Sequence, residues 1–149
     1  MYVWIDEIIG GLSEYYNTNN VYELYDILNI QITKLESNNI LLHGNDSIYI
    51  RDYFDIEVVF IRNDLNVGSE KFILLHELGH ALLHTDILKA AFNRNFINKD
   101  KLEKQANYFA FKMLNVEFDE IELDGMSLEQ ISRCIGIPYE PLSQLVGVW

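Results

Sequence analysis

The sequence predicts an α+β fold, in which a small antiparallel sheet of about three strands packs against helices. Apolar residues recur at helical spacing before position 30 and after position 66, whereas the stretch between alternates with the period of a β-strand. The links between the candidate strands are short, which favours antiparallel neighbours over parallel strands joined by helical crossovers. A chain of 149 residues is long enough to form one domain with its own hydrophobic core.

We expect four parts within this single domain, which is predicted to span residues 1–149. They are N-terminal helices at 1–29, the sheet at 30–62, two helices that carry the candidate site at 67–115, and a C-terminal helix pair at 126–149.

Two short amphipathic helices are predicted in the first part. The apolar positions that recur at helical spacing are Ile5, Ile8, Ile9, Leu12 and Tyr15. The polar run Asn17–Asn20 then interrupts the pattern, and Asn20 followed by Glu23 resembles the capping signal of a second helix.

The predicted sheet contains three strand-like segments. Ile30–Thr33 and Ile48–Arg51 alternate apolar and polar residues, and Asp55–Ile61 is β-branched and apolar. Turn-forming residues lie between them, at Asn38–Asn39 and at His43–Asp46. The last strand leads through a short link into the next helix.

The segment Phe72–His84 places a His-Glu-x-x-His set inside an apolar run. On a helix, His76 and His80 are one turn apart and share a face, so their imidazoles can bind one metal ion, with Glu77 beside them as a base for a water molecule. Apolar residues occupy the opposite arc: Leu74, Leu75, Leu78, Ala81 and Leu82. Gly79 is unfavourable in a helix and would be tolerated if another backbone approaches it closely. The pattern predicts the minimal apparatus of a zinc peptidase.

A catalytic zinc ion has three protein ligands, so a third residue is required. The one cysteine, Cys134, is distant in sequence, which argues against a cysteine-rich structural site. Glu103 is the best candidate, since the segment Lys101–Leu114 is predicted to be a helix with small residues beside this carboxylate. The residues that share its face are Ala106, Asn107 and Ala110. Alternatively, Asp100 caps the helix and Glu103 only completes a capping box.

These segments resemble the ImmA/IrrE family of metallopeptidases, within the thermolysin-like group that combines His-Glu-x-x-His with a glutamate on a second helix. The similarity covers Phe72–His84 and Glu103–Leu114, and the intervening loop and the preceding Phe60–Leu65 are similar in character. The chain departs from the family after the glutamate helix, where it reads Met113–Val116 instead of a leucine-rich Met-Pro segment. This departure concerns the following loop and not the ligands.

The resemblance implies a zincin-like core in which His76, His80 and Glu103 bind one zinc ion and Glu77 acts as general base and acid. It also implies site-specific cleavage of a helix-turn-helix repressor of a phage or mobile element. In related peptidases an edge strand of the sheet binds the substrate as an added strand. An alternative of another class is a non-catalytic anti-repressor, in which zinc only joins two helices and the protein acts by binding the repressor.

The net charge of -12 opposes direct binding to nucleic acid, because duplex binding depends on cations that neutralise phosphates. It is compatible with a basic protein partner, or it simply keeps a small domain in solution.

The N-terminus has acids where a secretory signal would have basic residues, and no apolar run approaches a membrane span. With a single cysteine, these features predict a cytoplasmic protein. The oligomeric state cannot be predicted.

Three further polar residues lie near the candidate site in sequence or pattern. His84 is poorly aimed for a ligand, because each four-residue step rotates the helix face, and is interpreted as a helix C-terminal charge or a support of a ligand. His43 is expected on a hairpin turn, exposed to solvent, or else facing the metal, where it could polarise a peptide carbonyl. Asn107 is either a hydrogen-bond partner of a ligand or an ordinary surface asparagine.

The C-terminal segment Ser127–Leu145 resembles a helix-turn-helix. It begins with a capping-box pattern and contains two short helices separated by Gly136–Pro138. DNA readout requires basic and amide side chains on the second helix, yet Tyr139–Trp149 contains no lysine or arginine. The segment is therefore predicted to pack against the body or to bind a partner, with Trp149 either buried or an exposed anchor.

Overall fold

The computed structural model describes residues 2–84, 99–114 and 125–145. In chain order, its elements are α1 (Val3–Tyr16), α2 (Val21–Ile27), β1 (Ile30–Leu35), a 3-10 turn (Ile40–Leu42), β2 (Ser47–Tyr53), β3 (Ile56–Arg62), α3 (Val67–Leu83), α4 (Lys99–Met113), α5 (Leu128–Ile135) and α6 (Tyr139–Leu145). Helices thus flank one three-stranded sheet, and the predicted α+β class is confirmed. No described helix is both long enough and apolar enough to cross a membrane.

The sheet has the order β1-β3-β2, so β3 is central and β2 is an edge strand. The prediction that all neighbours are antiparallel is wrong for one pair: β2 is antiparallel to β3, but β1 is parallel to it. The connection of residues 36–55 includes the 3-10 turn and the whole of β2, which is long enough for the crossover that parallel strands need. The short links seen in the sequence join β1 to β2, which do not pair.

The central position of β3 explains its continuous apolar sequence. Val59 and Ile61 belong to the main core beneath the helices, whereas Val58 and Phe60 lie in a second cluster with Leu42 from the 3-10 turn. A strand that is buried on both faces has no polar alternation, which is the pattern seen at 58–61.

The turn between β2 and β3 lies at Phe54 and Asp55, whose φ angles of 49° and 67° are typical of a two-residue hairpin of type I′. His43 was predicted on a hairpin turn and instead ends the 3-10 turn with a φ of 50°. It is exposed and does not line the cleft described below.

Side-chain caps fix the starts of several helices. Asn20 accepts hydrogen bonds from the N–H groups of Tyr22 and Glu23 at the start of α2, which confirms the predicted cap. Ser127 and Gln130 form the predicted capping box of α5. Each cap satisfies N–H groups that lack partners within the helix.

The core lies between α3, α4 and one face of the sheet. The back of α3 is buried, as the apolar arc predicted, and it packs with the aromatic residues Phe109 and Phe111 of α4. A Cβ atom at Gly79 would lie 3.2 Å from Phe109 Cδ1 and 3.3 Å from Ala106 Cα. This contact confirms that Gly79 admits a second backbone, and Ala106 and Ala110 are fully buried beside it.

The C-terminal helices α5 and α6 pack against each other, α6 also packs against α4, and Ile131, Ile137 and Leu142 join the main core. The turn between them contains Gly136 with a φ of 74°, and a Cβ at Gly68 would lie 2.6 Å from the Gly136 carbonyl oxygen. The first turn of α3 therefore touches the α5–α6 turn backbone to backbone. Trp149 and residues 115–116, on which two predictions fell, lie outside the described residues.

Candidate metal centre

The helices α3 and α4 bring the three predicted ligands together. His76 Nε2 lies 2.9 Å from one Glu103 carboxylate oxygen, and His80 Nε2 lies 3.1 Å from the other. The two Nε2 atoms are 3.2 Å apart. Although Glu103 lies 27 positions after His76 in the sequence, its carboxylate meets the two imidazole nitrogens in space. The ligand atoms of His76, His80 and Glu103 all lie within 4.8 Å of one another.

The capping interpretation of Glu103 is wrong. Asp100 is the second residue of α4 and forms an ion pair with Lys104 at 3.2 Å, one turn along the same helix. Glu103 instead directs both carboxylate oxygens towards the histidines of α3. Its position on the helix face shared with Ala106 is what brings it to α3.

Neighbouring charges in the site shift the pKa values of His76 and Glu103. Burial opposes protonation of His76, but the hydrogen bond that its ring donates to Glu103 and the charges of Glu77 and Glu103 outweigh it and raise the pKa of His76. Burial likewise opposes ionisation of Glu103, but the two imidazoles hold the pKa of this carboxyl well below its usual range. Glu103 is therefore a carboxylate at neutral pH, the form that binds a metal ion.

This donor set fits a zinc ion. Tetrahedral zinc binds imidazole nitrogen and carboxylate oxygen at about 2.0–2.2 Å, which places neighbouring ligand atoms about 3.4 Å apart. The observed separations of 2.9, 3.1 and 3.2 Å are slightly shorter, so a small outward movement of the side chains would admit the ion. The histidine side chains are 15% exposed and that of Glu103 is 51% exposed, and all three line the same cleft, so the donor atoms are accessible to an ion.

Asn107 supports His76 from α4. Its Oδ1 lies 2.6 Å from His76 Nδ1, so the imidazole donates its Nδ1–H and keeps the Nε2 lone pair for a metal. The Asn107 amide donates in turn to Gln144 Oε1 of α6 at 2.9 Å. Asn107 is only 3% exposed, so the alternative of a surface asparagine is wrong.

His84 contacts the other histidine. His80 Nδ1 lies 2.9 Å from His84 Nδ1, and His84 Nε2 lies 3.0 Å from Gln105 Oε1. Burial lowers the pKa of His84, and the neighbouring His80 and His76 act in the same direction against the Gln105 hydrogen bond. The lowered pKa disfavours a charge at this helix end, and the contact with His80 is the role that the geometry supports.

Glu77 lies beside the ligands, nearly buried, and accepts a hydrogen bond from Ser47 Oγ at 2.6 Å. Ser47 is the first residue of β2 and was not identified from the sequence, in which no motif marks it. Gln105 and Gln144 were missed for the same reason. Only contacts between distant elements reveal them.

These residues line one cleft of about 1080 Å³. One side, the closed half, is formed by α3 and α4 and carries His76, Glu77, His80 and Glu103. The other side, the open half, is formed by the start of β2 and by α6, and its lining residues include Ser47, Ile48, Tyr49, Tyr139 and Glu140.

Comparison with known proteins agrees with this geometry. The sequence matches the family described as the IrrE N-terminal-like domain, over residues 26–145. It is 35% identical over 133 residues to the metallopeptidase ImmA of Bacillus subtilis (strain 168), covering 83% of this chain and 72% of that protein. It is also 30% identical over 145 residues to the uncharacterized immunity region protein 2 of Bacillus phage phi105, covering 93% of this chain and 87% of that protein.

Two helices that direct a His-Glu-x-x-His set and a glutamate into one cleft are the arrangement expected of a metallopeptidase. The chain belongs to the ImmA/IrrE family of metallopeptidases. The predicted family and enzyme class are thus confirmed, and the family implies a metal, which is typically zinc.

Proposed function

We propose that this protein is an endopeptidase in which His76, His80 and Glu103 bind one zinc ion and Glu77 is the general base and acid. The observation that carries the proposal is the convergence of three ligand atoms within 4.8 Å, at the wall of an open cleft. The hydrogen bond that His76 Nδ1–H donates to Asn107 Oδ1 supports it, because it leaves the ring nitrogen that faces Glu103 available as a ligand.

When bound, zinc would polarise the scissile carbonyl and lower the pKa of water to about 7. The protein would supply the proton transfers. The Glu77 carboxylate would take a proton from the attacking water and pass it to the leaving amine. The Ser47 hydroxyl, 2.6 Å from Glu77 Oε1, would hold this carboxylate towards the cleft, and the other oxygen would remain free to exchange protons.

The edge strand β2 is the proposed binding surface for the substrate backbone. The Arg62 N–H donates to the Asp46 carbonyl at 3.0 Å, and bonded positions alternate along an antiparallel pair. The backbone groups of Ser47 and Tyr49 would therefore point away from β3, towards the cleft. An extended substrate segment could pair with them as a fourth strand, which places its carbonyl groups beside the metal ligands.

We further propose that the substrate is a helix-turn-helix repressor of a phage or mobile element, cleaved at one bond in the cytoplasm. The family resemblance supports this, and so does the similarity to an immunity region protein of a Bacillus phage. A repressor carries basic residues for DNA, and the net charge of -12 on this chain would favour its encounter with such a protein. The same charge argues against direct binding of nucleic acid.

The test is incubation of the purified protein with the repressor encoded nearest its gene, with zinc present, and mass spectrometry of the products. Wild type should produce one pair of new fragments. Glu77→Gln should still bind zinc, because all three ligands remain, and cleave at least about 100-fold more slowly, as expected for loss of a general base.

The same variant separates cleavage from anti-repression by binding. If repressor is intact in both reactions and Glu77→Gln still releases it from DNA, the protein acts as the zinc-stabilised anti-repressor and the proposed cleavage is wrong. Tyr15→Phe is a suitable control, because this exposed tyrosine lies on α1 and does not line the cleft.

A further inference from the structure

We propose that His84 and Gln105 are positioning residues, which together hold His80 in the tautomer that binds the metal. The proposal rests on the proposed zinc site and assigns a role to two residues that are not ligands. Gln105 Oε1, His84 and His80 Nδ1 form a continuous chain with contacts of 3.0 and 2.9 Å.

The direction of every hydrogen bond in this chain follows from its metal end. His80 can bind a metal through Nε2 only if that nitrogen carries no proton, so the ring proton lies on Nδ1. This Nδ1–H then donates to His84 Nδ1, which must be an unprotonated acceptor. The single ring proton of neutral His84 consequently lies on Nε2 and donates to Gln105 Oε1.

Gln105 ends the chain with a group that can only accept in this orientation. A carbonyl oxygen opposite His84 Nε2 favours the proton on that nitrogen and thereby leaves His84 Nδ1 free to accept from His80. The amide thus acts on the metal ligand at a distance of two hydrogen bonds. No other arrangement of protons satisfies both contacts while His80 Nε2 remains a ligand.

Burial strengthens the argument. The exposed fractions are 2% for His84 and 6% for Gln105, so water competes little for either side chain. Buried polar groups are costly unless they are hydrogen-bonded, and here each of the two satisfies the other. Hydrogen-bond partners of metal-bound histidines typically change metal affinity about 10- to 100-fold when they are removed.

The first experiment measures zinc affinity of the full chain by competition with a chelator. His84→Leu should weaken zinc binding about 10-fold or more, and Gln105→Met should weaken it by a smaller factor. His84→Asn is the matched rescue, since its Oδ1 occupies the place of Nδ1 and can accept from His80. Its affinity should lie between those of wild type and His84→Leu. Asn107→Leu provides a reference, because it removes the corresponding acceptor of His76.

The second experiment reads the tautomers directly, and a merely structural role would not produce the expected result. In zinc-loaded protein labelled with ¹⁵N-histidine, long-range proton–nitrogen spectra should show the proton of His80 on Nδ1 and that of His84 on Nε2. In Gln105→Met, His84 should become a mixture of tautomers. Thermal unfolding of each metal-free variant reports any general loss of stability separately.

Three results would overturn the positioning role. They are wild-type zinc affinity in His84→Leu, equal affinities in His84→Asn and His84→Leu, or a proton on His84 Nδ1 in the zinc-loaded protein. These differ from failure of the zinc site itself, in which wild type would bind no zinc or Glu103→Ala would bind it equally well.

Discussion

The closed and open halves of the cleft differ in how their polar groups are satisfied. In the closed half, buried side chains are hydrogen-bonded to one another, as in the contacts of Asn107 with His76 and of His84 with Gln105. In the open half, β2 has no partner strand on its outer side among the described residues, and Tyr139 is 42% exposed. The metal side is therefore arranged before anything binds, whereas the substrate side has groups whose partners must arrive with the substrate.

This difference predicts how substitutions divide. Changes in the closed half should alter metal affinity or folding stability, because they disturb groups that already have partners. Changes in the open half should alter KM and leave metal affinity and folding stability unchanged. Four predictions test the division, beginning with the largest effect.

Glu103→Ala should weaken zinc binding by more than about 100-fold, which exceeds the usual loss from removing a partner of a ligand. It deletes the carboxylate that contacts both histidines. Chelator competition measures the affinity. Glu140→Ala is the control, because this carboxylate lines the same cleft from α6 and should leave the affinity at its wild-type value.

Gly79→Val should lower the free energy of unfolding by about 1–3 kcal/mol, the usual cost of overpacking. Its methyl groups would meet Ala106 and Phe109, where a Cβ alone comes within 3.2–3.3 Å. Urea denaturation of the metal-free protein measures the change. Gly10→Val is the matched control, since no atom lies within 4 Å of a Cβ at this exposed helical position. Equal stability of the two variants would show that the helices do not need their close contact.

Zinc affinity should fall as the pH is lowered, since His76 must lose its proton before Nε2 can bind a metal. Burial opposes protonation, but Glu103 and Glu77 raise the pKa of His76, so the fall begins above the ordinary value of about 6.5. Glu77→Gln removes one of these charges without removing a ligand and should shift the fall to lower pH. Chelator competition from about pH 8 to about pH 5.5 tests the shift, and an unchanged midpoint would contradict the assigned cause.

Tyr139→Ala should raise KM for the repressor about 2- to 5-fold, with kcat and zinc affinity unchanged, as is usual for a residue at the rim of an interface. Tyr139 is exposed and lines the open half from α6. Steady-state kinetics measure the split. Tyr15→Ala removes a more exposed tyrosine outside the cleft and should have no effect on KM. A loss of zinc affinity in Tyr139→Ala would show that a residue of the open half also affects metal binding, and would contradict the proposed division.

The closed half was the more predictable part from the sequence, for a physical reason. Helical spacing fixes which side chains share a face, so the positions of His76 and His80 follow from four residues of separation. Caps are equally local, and Asn20 and Ser127 were identified correctly. The close approach of α3 and α4 could also be predicted, because Gly79 and the small residues after Glu103 have little other use in a helix.

Strand order was not predictable by the same means. Short links suggested antiparallel neighbours, but strand order depends on which strands bury their apolar faces. β3 is apolar on both faces and therefore lies at the centre of the sheet. Ser47, Gln105 and Gln144 were missed because each bonds to a residue on a distant element. A lone polar residue in a sequence gives no sign of such a partner.

The contact between Gly68 and Gly136 bears on when the enzyme becomes competent during its synthesis. The first turn of α3 needs a turn that emerges from the ribosome 68 residues later, and Gln144 reaches Asn107 only after that. Chains fold largely from the N-terminus as they are made. A nascent chain that ends before Gly136 lacks both the backbone contact with Gly68 and the Gln144 side chain that bonds to Asn107. Peptidase activity should therefore arise late in translation, after Gly136 and Gln144 have left the ribosome and made their contacts.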